Sequence, residues 1–243
     1  MDQTPLNTLQ DRANGFLTDI VTQHSRIDGT ILVTGSYDTT TYSDALFDRL
    51  GILLPPQLDR AVARRKADFL AGRAMAKAAM TLLDIPPQPV TIASNRAPVW
   101  PTGLVGSISH ARGRCACLLS RDTTRSYGVD TEAIARDRSL TAILTETLND
   151  HERATLTQGI LPPATNATLT FSAKETLFKA LYPGVGHHFG FDAAELTSPP
   201  GQDILTLALA TDLTENLTKG RRFDIHHRLS NTHVLTWLAV RVA

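Results

Sequence analysis

Two hydrophobic periods share this chain of 243 residues. The opening stretch, residues 1–29, is polar and weakly patterned and predicts no element. Residues 30–37, Thr-Ile-Leu-Val-Thr-Gly-Ser-Tyr, read as a strand ending near Gly35. The apolar run Leu50 to Leu54 is closed by Pro55-Pro56, and a long helix is predicted from there, because proline fits a first helical turn. Its buried stripe is read from Val62, Phe69, Ala76 and Leu83, one every heptad, widened by Leu58 and Met80. Asp84-Ile85-Pro86-Pro87 ends it. A strand is predicted at Val90 to Ala93, then a stiff, non-helical segment from Asn95 to Pro101 in which two prolines flank Trp100. Gly106 to His110 and Cys115 to Ser120 read as strands, the second buried.

In the second half, Tyr127 to Ile134 reads as a strand and residues 139–157 as a helix. A loop at Gly159 to Pro163 leads into a helix from Asn166 to Leu181, halted by Tyr182-Pro183-Gly184. Phe171, Phe178 and Leu181 give that helix an apolar side, and Lys174, Glu175 and Lys179 lie away from Phe171. Three strands follow, Ile204 to Ala210, Arg222 to Leu229 and His233 to Val242, separated by Pro, Gly, Ser and Asn. The polar segment Arg121 to Arg125 is the best boundary, giving halves 1–124 and 125–243.

Composition narrows the function class. With 42% apolar and 20% charged residues the chain is an ordinary globular protein able to bury a core. Its formal charge is zero with the histidines neutral, so bulk electrostatics favours neither nucleic acid nor an anionic membrane. An anionic ligand must be held by a local cluster. No run approaches the roughly 18 apolar residues of a membrane helix, and Met1 to Pro5 lacks the basic-then-apolar order of a secretory signal. Cys115 and Cys117 share one face of a strand and read as reduced thiols, which points to the cytoplasm.

Three groups of residues could carry chemistry. Asp130 and Glu132, two apart on a strand, project from one face and repel unless a cation lies between them. They suit half the oxygen shell of Mg²⁺, or else face solvent on an edge strand. Glu175 and Lys179, four apart, could instead form a helix-surface ion pair. Arg64, Arg65, Lys66 and Arg73 crowd the first long helix, with Arg65 and Arg73 within about 80° of each other. They form either a solvated basic face or a phosphate-binding one. Ser107 and Ser109 share a strand face, with His110 at its end. Gly-x-Ser-x-His is not a nucleophile elbow, and adjacent strand residues point apart. No phosphate-binding Gly-x-x-x-x-Gly-Lys-Ser/Thr loop is present.

Taken together and in order, these motifs resemble one family, the 4′-phosphopantetheinyl transferases. Gly128-Val129-Asp130-Thr131-Glu132 resembles its Gly-x-Asp-x-Glu signature. Phe171-Ser172-Ala173-Lys174-Glu175-Thr176-Leu177-Phe178-Lys179 resembles Phe-(Ser/Ala)-x-Lys-Glu-(Ser/Ala)-x-x-Lys, with Thr176 a conservative departure. Residues 65–73, 96–101 and 106–110 resemble the branch that includes enterobactin synthase component D. Residues 1–50 and 205–243 carry no motif of the family.

The resemblance implies a mixed α/β (α+β) monomer of two similar, pseudo-symmetric halves. Each would be a small sheet on a long helix, with coenzyme A bound in a cleft between them. It implies transfer of the phosphopantetheine arm of coenzyme A to a serine of an apo acyl or peptidyl carrier protein, releasing adenosine 3′,5′-bisphosphate. Asp130, Glu132 and Glu175 would hold Mg²⁺, or Mn²⁺ in its place. Lys174 and Lys179 would sit on phosphate oxygens. Glu175, directly or through a water, would take the serine proton, with Asp130 and Lys179 completing the catalytic set. Arg65, Arg73, Arg96 and His110 would grip the coenzyme A phosphates, with Ser109 as a further donor. Arg64 and Lys66 are left as surface charges. The carrier could belong to siderophore or other nonribosomal peptide synthesis, to polyketide synthesis or to fatty-acid synthesis. Two rival readings are an inactive homologue that only binds coenzyme A or a carrier, and a Mg²⁺-dependent nucleotide diphosphate hydrolase.

Overall fold

A computed structural model describes residues 4–241 of the chain. Contacts divide the chain into two units, Met1–Thr123 and Thr124–Ala243, and each has its own hydrophobic core.

The first unit runs α1 (Thr4–Arg12), β1 (Leu17–Gln23), β2 (Thr30–Tyr37), α2 (Ala45–Leu50), α3 (Ala63–Leu82), β3 (Thr91–Ile92), β4 (Pro98–Val99), β5 (Val105–Ala111) and β6 (Arg114–Ser120). Four strands form an antiparallel sheet in the order β1-β2-β6-β5, and α3 packs on it. The stretch that predicts no element holds both α1 and β1. Its apolar residues are few, but Leu6, Leu9, Phe16, Leu17 and Ile20 are all buried, so a helix and a strand form where local pattern is thin.

The first long helix starts later than its prolines suggest. Pro56–Leu58 forms a short 3₁₀ turn, and α3 begins at Ala63. The heptad stripe is packed except at its start: Leu58, Ala76 and Met80 are buried, and Phe69 and Leu83 pack against the first core. Val62 is 73% exposed, whereas Ala67, Leu70, Ala71, Ala74, Met75, Ala78 and Ala79 are buried. Small side chains let α3 approach the sheet closely. At Gly72 a Cβ would stand 2.7 Å from Cγ2 of Ile108 on β5, so only glycine fits that crossing. Lys66 is no surface charge either: it is buried, and its Nζ donates to Asp44 Oδ2 at 2.8 Å.

The second unit runs β7 (Arg125–Ala133), α4 (Asp137–Ala142), α5 (Asp150–Leu156), α6 (Pro163–Val185), β8 (Ala194–Leu196), β9 (Ile204–Leu209), β10 (Arg222–Leu229) and β11 (His233–Arg241). Its antiparallel sheet has the order β7-β11-β10-β9-β8, and α6 packs on β7 and β11. The one helix predicted over 139–157 is three pieces: α4, a π-helical turn at Ile143–Thr147, and α5. The break follows from Asn149, whose Oδ1 caps α5 by accepting from Glu152 N at 2.8 Å. The predicted strand end Val242 lies outside the described residues.

Helix α6 runs past its predicted stop at Tyr182. Pro183 falls in its last turn, where it gives up one helix bond to the carbonyl four residues earlier, and Gly186 at φ 76° closes the helix. Among the described residues no helix is long and apolar enough to cross a membrane. Both units thus set one long helix against an antiparallel sheet, a mixed α+β architecture.

Candidate active site

Asp130 sits midway along β7, an edge strand that pairs only with β11 among the described residues. An edge position suggests solvent, yet Asp130 is only 2% exposed because α6 covers it. Gly128 makes that cover possible. A Cβ there would lie 2.0 Å from the carbonyl oxygen of Thr176, so strand and helix backbones touch. The carboxylate divides its oxygens: Oδ1 accepts from Lys179 Nζ at 2.7 Å, and Oδ2 from Ser172 Oγ at 2.7 Å. Lys179 also donates to the carbonyl of Val129 at 3.1 Å. Lys179 therefore pairs with the strand acid, and its charge also acts on its helix neighbour Glu175.

Glu175 lies one turn before Lys179 and is half-buried. Burial pushes its carboxyl above the usual range. The charge of Asp130 adds to the rise, and Lys179 and His188 oppose it. Two signature motifs far apart in sequence thus meet at one place. Glu132 follows on the same face of β7, half-buried.

Lys174 has a different task from the one its motif suggests. It is buried, and its ammonium donates to Glu152 Oε2 at 2.8 Å, to the carbonyl of Thr147 at 3.0 Å and to that of Phe191 at 3.0 Å. Those three bonds use all its protons, so none is left for a phosphate. Glu152 is fully buried and also accepts from the backbone N–H of Asn149 at 3.0 Å and of Leu196 at 2.9 Å. Glu152 was missed in the sequence, although Asn149-x-x-Glu152 is a capping-box pattern that marks it.

Among the described residues no three His, Cys, Asp or Glu side chains gather into a ready metal shell. The Lys179 ammonium stands at Asp130 and already balances its charge. The donor set nevertheless fits a hard divalent cation. Carboxylate oxygens are what Mg²⁺ prefers, and Glu175 stands near enough to Asp130 for their charges to interact.

The first unit carries a cationic pocket of about 160 Å³, whose lining includes Arg65, Arg73, Arg96 and His110. Helix α3 supplies Arg65 and Arg73, eight residues apart, and β5 supplies His110 at its exposed end. Arg96 comes from the tight turn joining β3 to β4, at a left-handed φ of 69°. Asp68 is the acid of this pocket, and it accepts from Tyr37 Oη at 2.6 Å. Arg73 lies 4.5 Å from the ring centre of Phe69 and donates to the carbonyls of Val90 at 2.7 Å and Thr91 at 3.1 Å. Burial pushes its guanidinium down to about 10, a cost that a bound anion would offset. Ser109 does not join this group. Strand alternation puts it, buried, on the other face of β5 from His110, and it does not line the pocket. Cys115 and Cys117 are free, buried and part of the first core.

The sequence that carries the lysine-bound acid and the arginine cluster matches known proteins. Residues 54–120 match the 4′-phosphopantetheinyl transferase N-terminal domain, and residues 126–236 match the 4′-phosphopantetheinyl transferase superfamily. The chain belongs to the 4′-phosphopantetheinyl transferase superfamily. It is an enzyme that transfers 4′-phosphopantetheine from coenzyme A to carrier proteins. It is 32% identical to the 4′-phosphopantetheinyl transferase Svp of Streptomyces mobaraensis over 187 residues, 75% of each chain. It is 37% identical to enterobactin synthase component D of Salmonella typhi over 155 residues, 63% of this chain and 64% of that one. With the 4′-phosphopantetheinyl transferase PptT of Mycobacterium tuberculosis the identity is 32% over 167 residues, 66% of this chain and 72% of that one.

Proposed function

We propose that this chain performs the transfer with two sets of residues. Arg65, Arg73, Arg96 and His110 hold the phosphates of coenzyme A, and Asp130, Glu132 and Glu175 hold a divalent cation, Mg²⁺ or Mn²⁺. Residues 1–124 then form the phosphate-gripping half and residues 125–243 the metal-holding half. The observation that carries this is the meeting of Asp130, Lys179 and Glu175 at the crossing of β7 and α6.

The reaction needs a phosphorus–oxygen bond of the diphosphate to break as the carrier serine oxygen bonds to that phosphorus. Adenosine 3′,5′-bisphosphate leaves with the electron pair. The metal supplies charge neutralisation at the diphosphate oxygens. Lys179 adds a second cation there, held in place by Asp130. Arginine suits the phosphates because its fork donates two bonds at once, and Arg73 keeps part of its fork after binding Val90 and Thr91. Glu175 takes the serine proton, and its raised carboxyl makes it a better base than an ordinary glutamate.

The relative from Salmonella typhi carries the name enterobactin synthase component D, which favours a peptidyl carrier of siderophore assembly over acyl carriers of polyketide or fatty-acid synthesis. The buried free thiols suit a reducing compartment, the cytoplasm, and we take the chain to act as a monomer. Incubation with coenzyme A, Mg²⁺ and an apo peptidyl carrier adds one phosphopantetheine to the carrier mass. A chelator stops the gain, and Mg²⁺ or Mn²⁺ restores it. Full activity in Asp130→Ala would remove the metal assignment.

A further inference from the structure

The short signature motifs end at Lys179, well before β11, yet one residue of that strand reaches the site. Thr236 lies directly opposite Asp130 in the pairing of β11 with β7, and it is fully buried. Its Oγ1 is 2.6 Å from Thr176 Oγ1 and 2.9 Å from Ser172 Oγ, and it donates to the Ser172 carbonyl at 3.0 Å. Ser172 Oγ in turn lies 2.7 Å from Asp130 Oδ2. All three hydroxyls are shut away from solvent.

Proton counting fixes the first link of this row. The ionised carboxylate of Asp130, bound to Lys179, can only accept, so Ser172 gives it the one proton it has. Ser172 Oγ is then left as an acceptor 2.9 Å from Thr236 Oγ1, and Thr236 also holds Ser172 by donating to its carbonyl at 3.0 Å. Thr176 closes the row behind Thr236.

The conformation of Ser172 shows what the row achieves. A serine or threonine inside a helix tends to bond back to the carbonyl four residues earlier. Thr168 does this to Ala164 at 2.7 Å, and Thr170 to Asn166 at 3.0 Å, in the same helix. Ser172 instead turns its hydroxyl across to β7.

We propose that Thr236 is a positioning residue of the transferase site. Acting through Ser172, it fixes Asp130 with Oδ2 held by the protein and Oδ1 presented to Lys179 and the divalent cation. The proposal rests on the reading that Asp130 works in the reaction. Thr236→Val keeps the shape and removes the hydroxyl. It should lower kcat about 10-fold while KM for coenzyme A stays within about two-fold. Mn²⁺ binding to the protein, followed by electron paramagnetic resonance without carrier, should weaken several-fold. Thr236→Ser should restore both. Should the valine variant not fold, Ser172→Ala removes the donor itself at a helix position where alanine is at ease, and it should show the same loss. Unchanged kcat and Mn²⁺ affinity in Thr236→Val or Ser172→Ala would overturn the proposal, as would a serine variant no better than the valine one. Asp130→Ala separates the two levels. If it is inactive while Thr236→Val is normal, only the role of Thr236 falls. If it is fully active, the reading of the site falls with it.

Discussion

At the level of single residues, the arginines of the first pocket are held in unlike ways. Arg73 spends part of its fork on the carbonyls of Val90 and Thr91, so it fastens the segment entering β3 as well as lining the pocket. Arg96 sits at φ 69°, a conformation that costs an L-residue roughly 1–2 kcal/mol and glycine little. That difference allows a clean test. Arg96→Gly removes a guanidinium without straining the turn, so the unfolding midpoint should stay near wild type. KM for coenzyme A should rise about 10-fold, the value of one lost charge-assisted bond, with kcat nearly constant. Steady-state kinetics with an apo carrier measures both. An unchanged KM would take Arg96 out of the phosphate grip.

At the level of elements, the two lysines of α6 do separate jobs. Lys174 ties α6 to α5, to the π-helical turn and to Phe191, with Glu152 as its buried partner. Lys179 reaches over β7 to Asp130 and stays partly open to solvent. Lys174→Met should therefore act on stability: leaving Glu152 buried and unpaired costs roughly 3–5 kcal/mol. The double change Lys174→Met with Glu152→Leu should recover part of that loss, because both charges go together, though the N–H groups of Asn149 and Leu196 lose their acceptor. Urea unfolding reads this series. Lys179→Met should instead lower kcat with a smaller shift in midpoint. A Lys174→Met protein that folds as well as wild type but binds coenzyme A poorly would return that lysine to the phosphates. Asp130, Glu175 and Lys179 were legible through the motifs that resemble the family, since spacing alone left a solvent-facing strand and a helix-surface ion pair open. The sequence hid Glu152, Ser172 and Thr236, whose roles depend on which elements come together. It misled at Val62, which is exposed, and passed over Ala67, Ala71, Ala74 and Ala78, which are buried. Lys174 misled in the same way, since a motif position does not reveal which partner reaches it first.

At the level of the whole molecule, stability should depend on pH through a group far from any motif. His227 on β10 is 3% exposed, and its Nε2 lies 3.1 Å from the carbonyl of Gly201. Burial holds its imidazole below the usual range of about 6.5. The bond to Gly201 and the charge of Asp203 pull the other way, and His226 adds to the lowering. The unfolded chain therefore takes up a proton at higher pH than the folded one does. Wherever the unfolded state binds more protons, stability rises with pH. The contribution of His227 is thus complete above its unfolded value and fades as pH falls through the window below it, until the folded imidazole also protonates. The urea midpoint should drop between about pH 7.5 and about pH 5.5, within the range where histidine titrates. His227→Gln keeps a side-chain N–H for Gly201 and removes the titration. Its midpoint should be lower overall but flatter across that interval. An equal drop in wild type and variant would assign the pH dependence to other groups, and a midpoint that rises on acidification would mean that His227 gains rather than loses a favourable partner when charged.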